Sequence, residues 1–342
     1  MRISAALPHG VSALFAESAR RRRSLETLLA QRLEEAGFEE VVLPIVDYLE
    51  PYEPLLTPAS RRELYQFVDR DGELLALRAD FTPMLARLIA PRLGTLDLPL
   101  RVYYRGDVVR FQEERPGRLR ELFQLGAELV GEAGEAAEER MLRLFLELVT
   151  VGHEEPVHAV LGYAGALDRV LEAASPAGGP AEVGAALLRR DREALRRTGS
   201  PVLLQVAERG VPDDPDALGP EAGQRLRGLL ALRDRLASEL PAVRLSVDLA
   251  ELATLSLAGG RGASTGAGGA APDGEDAEAA LGGRSYYDGL VFRAYLGAGA
   301  LPVGGGGRYD RLFRALGAEV PAVGFSVGLD RLAQALGGGG GP

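Results

Sequence analysis

Two strand-like runs in the first half of the chain limit its fold more than any other feature. LPLRVYYRGDVVRFQ (98–112) and ELFQLGAELVG (121–131) are joined by a short Arg- and Glu-rich loop. So short a connection makes the runs antiparallel neighbours, because a parallel crossover needs a dozen or more residues. Residues 64–82 repeat the arrangement on a smaller scale, with LYQFVD and ELLALRAD flanking the turn pair Asp71-Gly72. Further strand-like runs occupy 243–257, 286–295 and the start of VGFSVGLDRL (323–332). The regular strand–helix alternation of a doubly wound parallel sheet is missing. The expectation is an α+β fold, a mainly antiparallel sheet with helices outside it.

Helical spacing covers 12–36, where Leu14, Phe15, Leu25, Leu28, Leu29 and Leu33 form an apolar stripe that Gly37 ends. The RRRR run at 20–23 reads as a solvated face of that helix. VVLPIVDYL (41–49) reads as a strand, placed at an edge or interface by Pro44, which cannot donate to a ladder. Residues 135–150 form an amphipathic helix. The Ala-, Leu- and Arg-rich span 151–240 is expected to be a mostly helical inserted lobe, and 1–150 with 241–336 the core. Nine of the 26 residues in 258–283 are Gly, the composition of a disordered loop. GGGGRYDRL (304–312) is expected to be a glycine turn entering a helix, and 337–342 a flexible tail.

Composition removes several kinds of chemistry. The chain has no Cys and, counted through its 342 residues, no Lys and no Asn. Disulfides, thiolate metal sites, a Cys nucleophile, a P-loop lysine and a Schiff base are all excluded. The three histidines, His9, His153 and His158, offer no metal-ligand spacing, so no metal is expected. A net charge of -10 argues against a broad nucleic-acid footprint. GFSVG fits the nucleophile-elbow pattern G-x-S-x-G, but that fold needs an acid and then a histidine after the serine, and no histidine follows Ser326. Residues 1–15 do not have the charged start and apolar core of a signal peptide, and no stretch is long enough to span a membrane, so a cytoplasmic location is expected.

The chemistry-bearing residues cluster around the two central strands. RVYYRGDVVRFQEERPGRLRE holds six arginines, and guanidinium forks suit phosphate oxygens. Arg110 near the strand end, with Arg118 beyond it, reads as a phosphate clamp. Strand alternation puts Gln124, Gly126 and Glu128 on one face, with Gly126 leaving room for a ligand. The same alternation puts Arg78, Asp80 and Thr82 together, and Tyr287 with Gly289. A pocket with an acidic end and an arginine end suits an amino acid bound beside a nucleotide.

These residues resemble a known family. RVYYRGDVVRFQEERPGRLRELFQLGAELVG is similar to motif 2 of class II aminoacyl-tRNA synthetases, in the form found in histidyl-tRNA synthetases. LALRADFT resembles that family's Leu-Arg-Pro-Glu-x-Thr stretch, and YYDGLVF and GGGGRYD its two histidine-specific motifs. VGFSVGLDRL resembles motif 3, and residues 37–53 with Pro44 resemble motif 1, the dimerisation strand. Three departures matter. The family's catalytic arginine, four residues before the Tyr-Tyr pair, is Gly282 here, with Arg284 out of register. Gln112 and Asp80 stand where glutamates are usual. A synthetase continues past motif 3 into an anticodon-binding domain, and no such domain is expected here.

The pattern resembles the synthetase paralogues that serve as regulatory subunits of ATP phosphoribosyltransferase. The resemblance implies a non-catalytic subunit that a short-form catalytic subunit needs in the first step of histidine biosynthesis, and a role in histidine feedback. It implies a homodimer through the motif 1-like strand, a hetero-oligomer with the catalytic subunit, and no cofactor, tRNA or membrane partner. Asp80, Thr82, Gln124 and Glu128 would hold the histidine ammonium, with Tyr287 and the glycines Gly305 and Gly306 bordering the imidazole. Arg110, Arg118 and Arg331 match nucleotide-binding positions, either as relics or as phosphate ligands still in use. The competing readings are an active adenylating enzyme, such as a truncated amino-acid ligase, and an assembly scaffold with a dead pocket.

Overall fold

The computed structural model describes residues 6–56, 58–111, 119–152, 156–175, 180–251, 286–297 and 302–336. The two central runs form β5 (Leu100–Val109) and β6 (Glu121–Val130), paired antiparallel along their length. They sit inside an eight-stranded sheet with β1 (Glu39–Glu40), β7 (Val157–Tyr163), β8 (Val243–Val247), β9 (Leu290–Tyr295), β10 (Gly304–Arg308) and β11 (Ala322–Gly328). The order is β1-β5-β6-β11-β10-β9-β7-β8. Only the two outer pairs, β1 with β5 and β7 with β8, run parallel. The expected hairpin is present as β3 (Gln66–Val68) and β4 (Leu74–Leu77), and joins β2 (Val46–Tyr48) in a separate three-stranded sheet, with the short helix α2 (Pro58–Glu63) between β2 and β3.

Sequence alternation becomes two unlike sheet faces. On β6, Leu125, Ala127 and Leu129 are fully buried in the main apolar core. They meet α1 (Ala16–Glu35) and α4 (Glu135–Val149), which contributes Met141, Leu142, Phe145, Leu146 and Val149. Gln124, Gly126 and Glu128 turn to the opposite face, where α3 (Phe81–Ile89) and the helix Asp310–Ala315 pack.

Five local expectations change. Leu25, Leu29 and Leu33 of α1 are buried, but Leu14 and Phe15 precede the helix and Phe15 is 77% exposed. The run 41–49 is not one strand: β1 ends at Glu40 and β2 begins at Val46, with Pro44 in the gap. Arg78, Asp80 and Thr82 share no strand face, because β4 stops at Leu77 and Asp80 caps α3, its side chain accepting from the Thr82 N–H. Of the span 151–240, Val157–Tyr163 is the strand β7; the helices lie between Asp168 and Glu239 and form the crossover from β7 to the parallel β8.

The fifth change is at Gly304–Gly307, a central strand rather than a turn. Its neighbours come too close for side chains. A Cβ on Gly306 would lie 2.1 Å from the Gly324 carbonyl oxygen, and one on Gly304 2.4 Å from that of Ser326. Glycine is here the residue that lets the β9 and β11 ladders close over a strand with no side chains. The spans 258–283 and 337–342 lie outside the described residues.

Candidate functional site

The polar residues of the sheet's second face converge on one cavity. It is lined by Asp80, Thr82, Arg110, Glu128, Tyr286, Tyr287, Tyr309 and the β11 segment Gly324–Ser326. Three elements build it. β6 turns Glu128 inward, β10 runs into Tyr309, and the start of α3 presents Asp80 and Thr82. Gly324 lies directly opposite Glu128 across the β6–β11 pairing, where a Cβ would fall 1.5 Å from Glu128 Oε2. The free volume is about 10 Å3, room for about one water.

Glu128 is the centre of this arrangement. It is 1% exposed, and its carboxylate accepts three hydroxyl donors: Thr82 at 2.7 Å and Tyr104 at 3.2 Å on Oε1, and Tyr309 at 2.5 Å on Oε2. Burial pushes its carboxyl up to about 7; the Tyr309, Thr82 and Tyr104 hydroxyls act in the opposite direction, and the nearby Asp80 charge adds to the rise. Asp80 is raised as well, by burial, although the Arg110 charge and the Thr82 and Phe81 backbone N–H groups pull against it. Thr82 bridges the two carboxyl groups, its N–H on Asp80 and its hydroxyl on Glu128.

Arg110 stands at the other end. It is 1% exposed and donates from Nε to the Ala79 carbonyl at 2.7 Å. Its NH1 is buried with no acceptor among the described residues. A buried guanidinium nitrogen with an open donor, on a residue that lines a cavity, is a place for an oxyanion.

The structure brings Asp80, Thr82, Arg110, Glu128 and Tyr287 into this one cavity. Gln124 and Arg331 lie instead in an adjoining cavity of about 30 Å3 with Leu122, Val303 and Gly328, where Arg331 donates to the Pro302 carbonyl at 2.6 Å. Gly306 cannot border the ligand of the first cavity. It pairs with Phe325, which pairs with Ala127, so it belongs to the opposite face, the one covered by α4. Gly305 pairs with Ser326 and shares the site face, without lining either cavity. The space opened by Gly126 is filled by Tyr104: a Cβ there would meet its hydroxyl at 2.5 Å. Arg118, Gly282 and Arg284 lie outside the described residues.

Tyr104, Tyr286, Tyr309, Phe325 and Ser326 are among the site residues that the sequence reading missed. Tyr309 had a usable signal: read as a strand, 305–309 alternates Gly305, Gly307 and Tyr309 onto the site face. Ser326, dismissed as a nucleophile, lines both cavities.

Comparison with known proteins follows the same lines. Residues 10–261 and 278–332 match the family described as histidyl-tRNA synthetase. A protein of Moorella thermoacetica named "ATP phosphoribosyltransferase regulatory subunit" is 32% identical over 97% of this chain and 82% of its own length. A "Histidine--tRNA ligase" of Pyrobaculum calidifontis is 31% identical over 97% of this chain and 73% of its own length. Among solved structures, an ATP phosphoribosyltransferase regulatory subunit/histidyl-tRNA synthetase from Bacillus halodurans superposes with a TM-score of 0.73, covering 98% of this chain and 84% of that one. At 21% identity this is a likeness of fold.

Proposed function

Because the chain belongs to the histidyl-tRNA synthetase family, and to the ATP phosphoribosyltransferase regulatory subunits that match it over nearly its whole length, we propose that it is a regulatory subunit of ATP phosphoribosyltransferase acting in histidine biosynthesis. In this reading it is non-catalytic and cytoplasmic, assembles with a short-form catalytic subunit, and senses histidine. Among the described residues no helix is long and apolar enough to cross a membrane.

The observation that carries the reading is the closed cavity around Glu128. Two buried carboxyl groups, three hydroxyls and one guanidinium with an open donor form a recognition site for a small zwitterion. We assign Asp80, Thr82 and Glu128 to the ammonium, Tyr287 and Tyr309 to the side chain, and the open nitrogen of Arg110 to the carboxylate or a phosphate. Gln124 and Arg331, in the adjoining cavity, are assigned to a nucleotide. A cavity of about 10 Å3 does not hold an amino acid, so binding parts the tyrosines around it. Recognition of this kind survives without the arginine that stabilises charge during adenylate formation, and position 282 is Gly.

Homodimerisation belongs to the same reading. Val42 is 89% exposed, and Ile45, Tyr48 and Val68 are exposed beside it in sequence or in the small sheet; a second copy covers this apolar face.

The test is phosphoribosyltransferase activity of the short catalytic subunit from the same organism, with and without this protein, followed by histidine titration. Activity only in the mixture, inhibited by histidine, is the expected result. No activation, together with histidine-dependent exchange of pyrophosphate into ATP by this chain alone, would establish the adenylating enzyme instead.

A further inference from the structure

The break at Pro44 exposes a row of backbone carbonyls, and one residue answers it. Between β1 and β2 the chain makes no ladder, so the carbonyls of Leu43, Pro44 and Ile45 need donors from elsewhere. Arg78 supplies all three. Its NH1 donates to Leu43 at 2.7 Å and Pro44 at 2.9 Å, and its backbone N–H donates to Ile45 at 2.7 Å. From the other side of the fork, Nε and NH2 donate to the Asp107 carbonyl on β5 at 3.1 and 2.7 Å. Arg78 is therefore a staple between the segment 43–45 and the end of the central hairpin.

The same guanidinium begins a stacked column that ends in the cavity. It lies over the Phe81 ring at 3.9 Å from the centroid. Phe81 stacks on Tyr104 with centroids 4.2 Å apart and planes at 7°. The Tyr104 hydroxyl donates to Glu128 at 3.2 Å. Phe81, Tyr104 and Glu128 are each no more than 1% exposed. The column has no slack on its flanks. A Cβ on Gly106 would lie 3.0 Å from Arg78 NH2 and 3.3 Å from the Phe81 ring, and one on Gly126 would meet the Tyr104 hydroxyl. Its outer end is the segment beside Val42, the most exposed large apolar side chain of this face.

We propose that Arg78 is a positioning residue for Glu128, and that the Arg78–Phe81–Tyr104 column conveys occupancy of the cavity to the exposed segment 41–48. The proposal rests on the reading of the cavity as an amino-acid site. A ligand N–H that takes an oxygen of Glu128 competes with the Tyr104 hydroxyl. In a close-packed stack a displaced ring moves its neighbour, because no void absorbs the shift. The guanidinium then re-aims its fork, and the carbonyls of 43–45 move with it. If Arg78 were a staple and nothing more, segment 41–48 would be held equally tightly whatever the cavity contained.

Hydrogen exchange on the full chain separates the two. Amides of 41–48 are followed with and without saturating histidine, with calorimetric titration of the same samples. In wild type, histidine is expected to change their exchange rates by roughly threefold or more. In Phe81→Leu and in Arg78→Lys that ligand-dependent change is lost, histidine binds about tenfold more weakly, and far-ultraviolet circular dichroism is unchanged. Binding without any response at 41–48 in wild type overturns the proposal, as does a full response in Phe81→Leu. If histidine does not bind wild type at all, the amino-acid reading fails, and the column is then probed from inside. Glu128→Gln alone should alter exchange at 41–48, and Phe81→Leu should abolish that alteration. Identical exchange in wild type and Glu128→Gln overturns the column by itself.

Discussion

Tyr309 donates its hydroxyl to Glu128 Oε2 at 2.5 Å, joining residues 181 positions apart in the chain. With Thr82 and Tyr104 on the other oxygen, the hydrogen-bond partners of this buried carboxyl among the described residues are all uncharged hydroxyls. Arg110, the guanidinium of the cavity, acts on Asp80. Such a carboxyl is kept in place by hydrogen bonds while burial works against its charge.

Its effect on stability has a definite sign. Glu128 titrates near 4.5 when unfolded and at about 7 in the fold, so between those values the folded protein holds more protons than the unfolded chain. This contribution is fully present below pH 4.5, falls as pH rises towards 7, and is level above. The full span corresponds to ~3 kcal/mol. Glu128→Gln lacks the slope, so its stability relative to wild type should improve from pH 5 to pH 7 and level off above that in urea unfolding. Parallel curves for the two proteins would show that the carboxyl is not perturbed.

Gly324→Ala tests the closeness of β11 to the cavity. The new methyl would stand 1.5 Å from Glu128 Oε2, between a central strand and a buried side chain. A destabilisation of about 1–3 kcal/mol is expected from overpacking, with loss of histidine binding. A variant with wild-type urea midpoint and wild-type titration would mean that Glu128 has another place to go.

The reverse face of the sheet carries a buried ion pair, Arg308 Nε to Glu138 at 2.6 Å, with Asp310 at 3.2 Å from Arg308 NH1. Glu138→Ala leaves that charge, among the described residues, with Asp310 and the Gly134 carbonyl only, and should cost about 2–3 kcal/mol. Arg197–Glu193, a pair 68% and 85% exposed, serves as the control. Glu193→Ala should stay within ~0.5 kcal/mol of wild type in the same denaturation series.

The apolar face at 41–48 predicts self-association. Val42→Asp adds a charge at a side chain 89% exposed, and it should leave the melting temperature of the isolated chain nearly unchanged. If a second copy covers this face, sedimentation velocity should show the variant shifted from dimer to monomer by about tenfold or more in dissociation constant. Equal sedimentation of both proteins would place any dimer interface elsewhere.

Much of the sheet was readable because strand alternation is a local property. Leu125, Ala127 and Leu129 had to face one way and Gln124, Gly126 and Glu128 the other, whatever lay across from them. The same local rule failed at Gly304–Gly307, where a run of glycines carries no alternation to read. It failed again at Asp80, where the N-cap of α3 and a continuing strand are indistinguishable until the helix is seen to start.

By itself, then, the sequence determined the antiparallel pairing of the long hairpin, the face on which Glu128 lies, and the absence of thiol and lysine chemistry. Only the tertiary structure decided that Thr82, Tyr104 and Tyr309 share the oxygens of Glu128, that Gln124 and Arg331 sit in a different cavity from Glu128, and that Gly306 lies on the face turned away from Glu128. The reason is physical. Alternation and turn chemistry act over a few residues, whereas these contacts depend on strand order and register, and those are set by packing across the whole sheet.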